Sequence, residues 1–186
     1  MDSFISHNLN QFVGRWQIVD WLIIFTADWL PYIASIILFG IFLWKKKFSK
    51  ISLGLVSFSI ILALTVRFPL VFLIQLFINR PRPFAFDSSI INILKQPATS
   101  SFPSGHASFF FPLAAALFIF DKRLGSILFL FVSLMVFARI AAGVHWLTDI
   151  LAGAFLGVSV VFLAYYIFRK HKSSKHWNCR YFGMTI

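Results

Sequence analysis

Residues 124–143 read LGSILFLFVSLMVFARIAAG, and Arg139 is the one charged side chain in this run. A helix needs about 20 mostly apolar residues to cross the hydrocarbon layer of a membrane. The run has that length, and it follows the charged pair Lys122 and Arg123. It therefore predicts a transmembrane helix, and the rest of the chain can be divided by the same criterion.

Four further apolar runs have a comparable character, and they are 29–44, 51–79, 104–120 and 147–168. The run 51–79 is interrupted by Arg67 and Pro69, and at 1.5 Å per residue it would be roughly 43 Å long. We expect it to be tilted, or kinked at the proline. The predicted fold class is therefore all-α, a polytopic bundle of about five transmembrane helices.

The composition agrees with a chain that has lipid as its solvent. Of its 186 residues, 59% are hydrophobic and 12% are charged, and the mean hydropathy is +0.83. A soluble domain carries about 25% charged residues, so this chain has too few to cover itself against water. An ordinary cytosolic enzyme, a secreted disulfide scaffold and a disordered regulator are excluded. The single cysteine, Cys179, has no disulfide partner and is expected to be an inert surface thiol.

We expect one domain over residues 1–186, with an interfacial amphipathic helix at 1–28, the transmembrane bundle at 29–168 and a basic tail at 169–186. The first 28 residues are apolar enough to contact lipid but include several charges, the last of them Asp28. They lack the positive start and the small-residue cleavage site of a signal peptide.

Basic residues are unevenly divided between the two ends of the predicted bundle. With five alternating spans, eleven Lys and Arg residues fall on the side of the C-terminal tail and five fall on the other side. The positive-inside rule then places the C-terminus in the cytoplasm and the N-terminus outside the cell. We therefore interpret the net charge of +11 as a topology signal and predict no nucleic-acid partner.

Three polar segments lie at span ends on the predicted outer side, and the first is NRPRPF at 79–84. Its alternating prolines stop the helix and hold Arg80 and Arg82 in a stiff extended run. The alternative is a basic stop whose side chains reach lipid headgroups.

The second segment, SFPSGH at 101–106, opens the span 104–120. Proline and Ser104 at a helix start, followed by Gly105, leave backbone N–H groups free for an anion at the positive end of the helix dipole. His106 taken alone fits a hydrogen-bonded interface histidine equally well.

The third segment contains Arg139, His145 and Asp149, between the spans 124–143 and 147–168. His145 and Asp149 are four residues apart, so on a helix they share a face, and the carboxylate can hold the imidazole N–H. A purely structural His–Asp pair is the alternative.

All three segments emerge on the same side of a five-span bundle. Together they supply arginines, two histidines, a carboxylate and a free helix N-terminus. Arginine forks bind phosphate in a bidentate manner, and one histidine can attack while the other protonates the leaving oxygen. This combination predicts a site for an oxyanion with several oxygens.

The segments resemble the three-part pattern of the type 2 phosphatidic acid phosphatase superfamily of integral membrane lipid phosphatases. That pattern is lysine, six residues, Arg-Pro; then Pro-Ser-Gly-His; then Ser-Arg, five residues, His, three residues, Asp. The matching residues are Arg82-Pro83, Pro103-Ser104-Gly105-His106, and Arg139 with His145 and Asp149. The resemblance covers about residues 28–168.

Two positions depart from the pattern, because Gln75 stands in place of its lysine and Ala138 in place of its serine. The missing lysine removes one positive charge from the implied phosphate cradle, which includes position 75. We expect Arg80 to compensate for that charge.

Arg67 lies about 24 Å along its span, at a depth where a charge is costly. Three explanations are open at this stage: an ion pair with Asp28 or Asp20, a side chain that reaches the membrane surface, or contact with a substrate.

The resemblance implies roles for individual residues. His145 is the nucleophile that forms a phosphohistidine, Asp149 orients it, and His106 is first the acid and then the base. The implied phosphate ligands are Arg82, Ser104, Gly105 and Arg139. Because arginines neutralise the phosphoryl charge, we expect the reaction to need no metal and no cofactor.

Within the superfamily the chain is most similar to bacterial undecaprenyl-diphosphate phosphatases of the bacitracin-resistance type. That similarity implies a polyprenyl diphosphate, converted to the monophosphate at the outer face of the cell membrane, and a part in cell wall biogenesis. Phosphatidylglycerophosphate and phosphatidic acid stay open as substrates, and a catalytically silent protein that binds or moves lipid phosphates is a further alternative. The sequence does not indicate an oligomeric state.

Overall fold

The computed structural model describes residues 2–174, and over these residues all regular structure is helical. The helices are α1 (Asp2–Asn10), α2 (Gln17–Lys45), α3 (Lys50–Thr65, Val66–Leu70 and Val71–Phe77 in succession), α4 (Pro83–Phe86), α5 (Gly105–Phe120), α6 (Lys122–Ala141) and α7 (Leu147–Ser174). The end of the predicted basic tail, residues 175–186 with Cys179, lies outside the described residues.

Within residues 2–174, four helices are long and apolar enough to cross a membrane: Gln17–Lys45, Ser52–Phe77, Lys122–Ala141 and Leu147–Ile167. The fifth, α5, is apolar but has 16 residues. Each of these five helices overlaps one of the five predicted apolar runs, so the predicted all-α bundle is confirmed. The faces of α2, α3 and α7 that point away from the bundle expose large apolar side chains, for example Ile36, Phe77 and Phe155, as expected of surfaces in contact with lipid.

The N-terminal boundary differs from the prediction. Residues 2–10 form the separate helix α1, and a turn at Gly14, with φ of +79°, ends before α2 begins at Gln17. Residues 17–28 belong to the first long helix, so the predicted boundary at residue 28 falls inside α2. The physical reason is that the charge of Asp28, which marked a span end in the sequence, is neutralised by Arg139 inside the bundle.

Two long helices contain a widened π-helical turn. In α2 the turn Phe25–Trp29 precedes Pro31, and in α3 the turn Val66–Leu70 contains Pro69. Proline has no N–H to donate and its ring crowds the preceding turn, so a regular α-helical ladder is interrupted there. The kink expected at Pro69 therefore takes the form of a π-helical turn, and Arg67 lies within it.

Helix α5 occupies the centre of the bundle and packs most extensively against α6 and α7. Glycines in α7 allow a close approach: an added Cβ at Gly153 would lie 2.7 Å from the Ser104 carbonyl oxygen, and one at Gly157 would lie 2.5 Å from Pro112. A larger side chain at either position would push the helices apart. This packing fixes the start of α5 against the first turns of α7.

The two poles of the bundle have different chemistry. At one pole Lys45 pairs with Asp121 at 2.5 Å, and Asp121 caps α6 by accepting the Leu124 N–H at 3.1 Å. The other pole gathers the ends of α3 and α6, the starts of α5 and α7, and helix α1. Asn10 of α1 joins that pole through hydrogen bonds to the carbonyls of Ile91 and Ala141. All three polar segments meet there.

Candidate active site

Arg82 enters the site from the proline-rich turn that follows α3. It is 8% exposed, its Nη1 donates to the Val144 carbonyl at 3.0 Å, and its Nη2 donates to the Thr99 hydroxyl at 3.3 Å. Its Nε is buried without a hydrogen-bond partner among the described residues. Burial lowers the pKa of Arg82, and the charge of Asp149 opposes that effect. Arg82 is thus held by two of its nitrogens, with a third donor unused.

The start of α5 presents unused polar groups as well. Ser104 occupies the N-cap position with its backbone N–H bonded to the Asp149 carbonyl at 3.0 Å, but its side chain does not cap the helix. The Ser104 hydroxyl is fully buried and has no hydrogen-bond partner in the described part of the chain. The first N–H groups of a helix are free donors at the positive end of its dipole. Predicted ligands Ser104 and Gly105 therefore lie where an anion is favoured.

His106 follows on the first turn of α5, stacked on Phe110 with ring centroids 6.2 Å apart. Four positively chargeable groups lie within electrostatic range of its ring, and they are Arg67, Arg82, Arg139 and His145. The structure therefore brings both predicted catalytic histidines and two of the predicted phosphate-binding arginines into one cluster.

His145 is 3% exposed, and its Nδ1 lies 3.0 Å from the Ser101 carbonyl oxygen. A carbonyl can only accept, so in the neutral ring the proton lies on Nδ1 and the lone pair on Nε2. Burial lowers the pKa of His145 to about 4; Asp149 raises it, while Arg139 and Arg82 lower it further. The imidazole is therefore neutral at pH 7 and able to act as a nucleophile through Nε2.

Asp149 is fully buried and has three neighbours. Its Oδ1 pairs with Arg80 at 2.7 Å, and its Oδ2 accepts the backbone N–H of Trp146 at 2.9 Å. The same Oδ2 lies 3.8 Å from Nδ1 of His145, which is longer than a hydrogen bond. The predicted pair is thus adjacent, but the Ser101 carbonyl is the closer partner of the imidazole.

Arg80 lies between two carboxylates. Besides Asp149, it pairs with Asp2 of α1 at 2.9 Å and donates to the Thr148 hydroxyl at 2.6 Å, and Thr148 is also bonded to Asp2. Its guanidinium carbon lies 5.4 Å from the centroid of the Trp146 ring. The charge expected to replace the missing lysine is thus balanced by two aspartates within the protein.

Arg139, near the end of α6, is 1% exposed. Its Nη1 donates to the Asp28 carboxylate at 2.9 Å and to the Ala27 carbonyl at 3.3 Å, while its Nε has no hydrogen-bond partner among residues 2–174. Gln75 touches the second motif, because its amide nitrogen lies 3.4 Å from the Pro103 carbonyl oxygen. Ala138, the other departure from the pattern, is a buried residue of α6.

The ion pair considered for Arg67 is absent from the described residues. Asp28 pairs with Arg139, and Asp20 accepts the backbone N–H of Gly14 at 2.9 Å. Arg67 instead lies against Gly105. Sequence analysis considered contact with a substrate for Arg67 as one of three explanations, but it gave no indication that Asp28 pairs with Arg139.

Comparison with known proteins agrees with this geometry. The sequence model of the PAP2 superfamily matches residues 29–173, most of the chain. The protein therefore belongs to the PAP2 superfamily, the family that its three motifs resemble, and it is a multi-pass membrane protein.

Pairwise comparison with individual relatives gives low sequence identities. The chain is 34% identical over 77 residues to the bacitracin transport permease protein BcrC of Bacillus licheniformis, covering 41% of this chain and 38% of that protein. It is 29% identical over 137 residues to an undecaprenyl-diphosphatase of Sulfolobus acidocaldarius, covering 73% of this chain and 61% of that one. Less than two thirds of each relative is thus matched. The crystal structure of Aquifex aeolicus LpxE superposes with a TM-score of 0.67 at 27% identity, covering 87% of this chain and 92% of that chain.

Proposed function

We propose that the protein is a membrane lipid phosphatase that hydrolyses a polyprenyl diphosphate of the undecaprenyl class to the monophosphate. The observation that carries the proposal is the cluster in which His106 and His145 lie within electrostatic range of each other and of Arg82 and Arg139. The name of the relative from Sulfolobus acidocaldarius supports the diphosphate substrate.

Unused donors in the cluster support phosphate binding. Arg82 Nε, Arg139 Nε and the Ser104 hydroxyl are all buried without partners in the described chain. A buried donor without a partner costs about 1–3 kcal/mol, so three of them favour a ligand with several acceptor oxygens. A phosphoryl group has such oxygens, and the uncapped start of α5 adds backbone N–H donors.

In the first step, Nε2 of His145 attacks the terminal phosphorus. The bond from phosphorus to the bridging oxygen breaks, and its electron pair leaves with the lipid monophosphate. Protonated His106 donates its proton to the departing oxygen. The product is a phosphohistidine, and its ring charge is stabilised by the Ser101 carbonyl at Nδ1 and by the nearby carboxylate of Asp149.

In the second step, neutral His106 takes a proton from a water molecule, whose oxygen attacks the phosphorus. The bond from phosphorus to Nε2 breaks, its electron pair returns to His145, and inorganic phosphate is released. Throughout, Arg82 and Arg139 balance the charge of the phosphoryl oxygens, the function that Mg²⁺ has in kinases. A metal-independent reaction without a cofactor is part of the proposal.

We infer that the site faces outward, with the N-terminus outside the cell and the C-terminus in the cytoplasm. The excess of basic residues at the opposite pole and in the tail supports this orientation. Cysteine labelling of intact cells, in a Cys179→Ser background, tests it. A cysteine at Ser88 in the loop after α4 should react with an impermeant reagent, and one at Lys47 between α2 and α3 should not.

Phosphate release from purified protein in detergent tests the activity. A polyprenyl diphosphate should be hydrolysed in excess EDTA by the wild type and by His7→Ala, which removes an exposed histidine from α1. His145→Ala should be inactive. Phosphatidylglycerophosphate and phosphatidic acid, compared by kcat/KM, decide between a diphosphate and a monoester substrate. Lipid binding without hydrolysis would favour the silent binding protein.

A further inference from the structure

We propose that Arg67, on the membrane-spanning helix α3, supplies the phosphate-binding cation that position 75 lacks, and that Gly105 leaves the space through which its guanidinium reaches the phosphoryl group. This inference rests on the proposed function, since the ligand is the phosphoryl group of the lipid substrate.

The position of the guanidinium is the first observation. A Cβ added at Gly105 would lie 2.6 Å from Cζ, 2.7 Å from Nε and 2.9 Å from Nη1 of Arg67. The whole guanidinium therefore lies against the first residue of α5. That residue stands between Ser104, whose hydroxyl has no partner among the described residues, and His106, which is within electrostatic range of Arg67.

The charge of Arg67 is the second observation. Among the described residues no carboxylate pairs with it, and its Cζ lies 5.4 Å from the centroid of the Phe68 ring. By contrast, Arg80 and Arg139 each have an aspartate partner. A cation in an apolar span without a counter-ion is costly, and such residues commonly mark the path or the site of a charged substrate.

Helix α3 explains how Arg67 reaches the site. Arg67 precedes Gln75 by eight residues, about 12 Å along the helix, and the side chain extends outward to the start of α5. Gln75 contacts the same segment through the Pro103 carbonyl. Both side chains of α3 therefore meet the second motif, one as a neutral amide and one as a cation. A guanidinium also offers two parallel donors to phosphate oxygens, which a lysine does not.

Two measurements on purified protein test the inference. For Arg67→Gln we expect kcat/KM to fall about 10- to 100-fold and the inhibition constant of inorganic phosphate to rise to a similar extent, because a charge-assisted contact is lost. Arg67→Lys should show smaller changes than Arg67→Gln in both kcat/KM and the inhibition constant of phosphate. Arg123→Gln, at the opposite pole, is the matched control and should change neither.

Moving the charge provides the sharper test. In the Arg67→Gln protein, adding Gln75→Lys should restore phosphate inhibition and kcat/KM to within a few fold of the wild type. Unchanged kinetics and phosphate affinity in folded Arg67→Gln would overturn the inference.

Phosphate-induced stabilisation against heat separates this inference from the proposed function. An inactive wild type that phosphate still stabilises, with the stabilisation lost in Arg67→Gln, would refute the enzyme and support the site. Equal stabilisation of the wild type and Arg67→Gln by phosphate would refute the binding of phosphate by Arg67.

Discussion

The buried carboxylate of Asp149 lies 2.7 Å from the guanidinium of Arg80. Through this pair, and through the bond from Arg80 to Asp2, the N-terminal helix α1 is connected to the residue beside His145. Arg80 thus holds the carboxylate beside His145, and its charge is balanced by two aspartates.

Replacing Arg80 distinguishes two roles for this residue: holding the Asp149 carboxylate, or contacting the substrate phosphate. In Arg80→Gln the buried charge of Asp149 loses its partner, so we expect a loss of about 3 kcal/mol of stability and about a tenfold lower kcat. The KM and the inhibition constant of phosphate should change less than about twofold. A raised KM together with a raised inhibition constant of phosphate, as expected for Arg82→Gln, would instead make Arg80 a phosphate ligand.

Asp28 neutralises Arg139 at 2.9 Å, and the Asp28 side chain is 36% exposed. In Asp28→Asn we expect about 2 kcal/mol lower stability, a value reduced for that exposure, and about a tenfold lower kcat/KM. Asp20→Asn, on the same helix but bonded to the Gly14 N–H, is the control and should retain activity. Equal behaviour of the two variants would count against a role for Asp28 in placing Arg139.

The protonation of His145 can be followed directly. Its pKa is lowered to about 4, mainly by burial, so the ring of the free enzyme should stay neutral as the pH falls from 8 to 5 and take up a proton only below that range. Nuclear magnetic resonance of ¹⁵N-labelled histidine in detergent measures this, with His145→Ala to assign the signal. Titration of His145 near pH 6.5 would contradict the buried, neutral nucleophile.

Gly105 is the position where a single methyl group would displace Arg67. For Gly105→Ala we expect kcat/KM to fall 10-fold or more, since the Cβ would meet Cζ of Arg67 at 2.6 Å. In the Arg67→Gln background, Gly105→Ala should lower kcat/KM by a smaller factor. A double-mutant cycle detects this non-additivity. Gly40→Ala is the control, because no described atom outside the neighbouring backbone of its own helix lies within 4 Å of its added Cβ. Fully additive effects of the two substitutions on kcat/KM would show that Gly105→Ala does not act by displacing Arg67.

The sequence predicted five apolar helices and three polar segments at one pole of the bundle, because apolar length and fixed spacings are local properties. It was insufficient for the partners of the charged residues. Asp28 and Arg139 are 111 positions apart, and Arg80 and Asp149 are 69 apart. Their pairing depends on how the helices pack, which no local pattern encodes. The same reason explains why Asp28 was expected to precede the first span and why three explanations stayed open for Arg67.

Trapping the covalent intermediate tests the central claim most directly. Purified wild type is incubated briefly with polyprenyl diphosphate labelled at the terminal phosphate and quenched in alkali, because His106 serves in both steps and its replacement would slow formation of the intermediate as well. We expect acid-labile label on His145, located by mass spectrometry, and none in His145→Ala. Lipid hydrolysis that continues in His145→Ala, or label on another residue, would contradict the account.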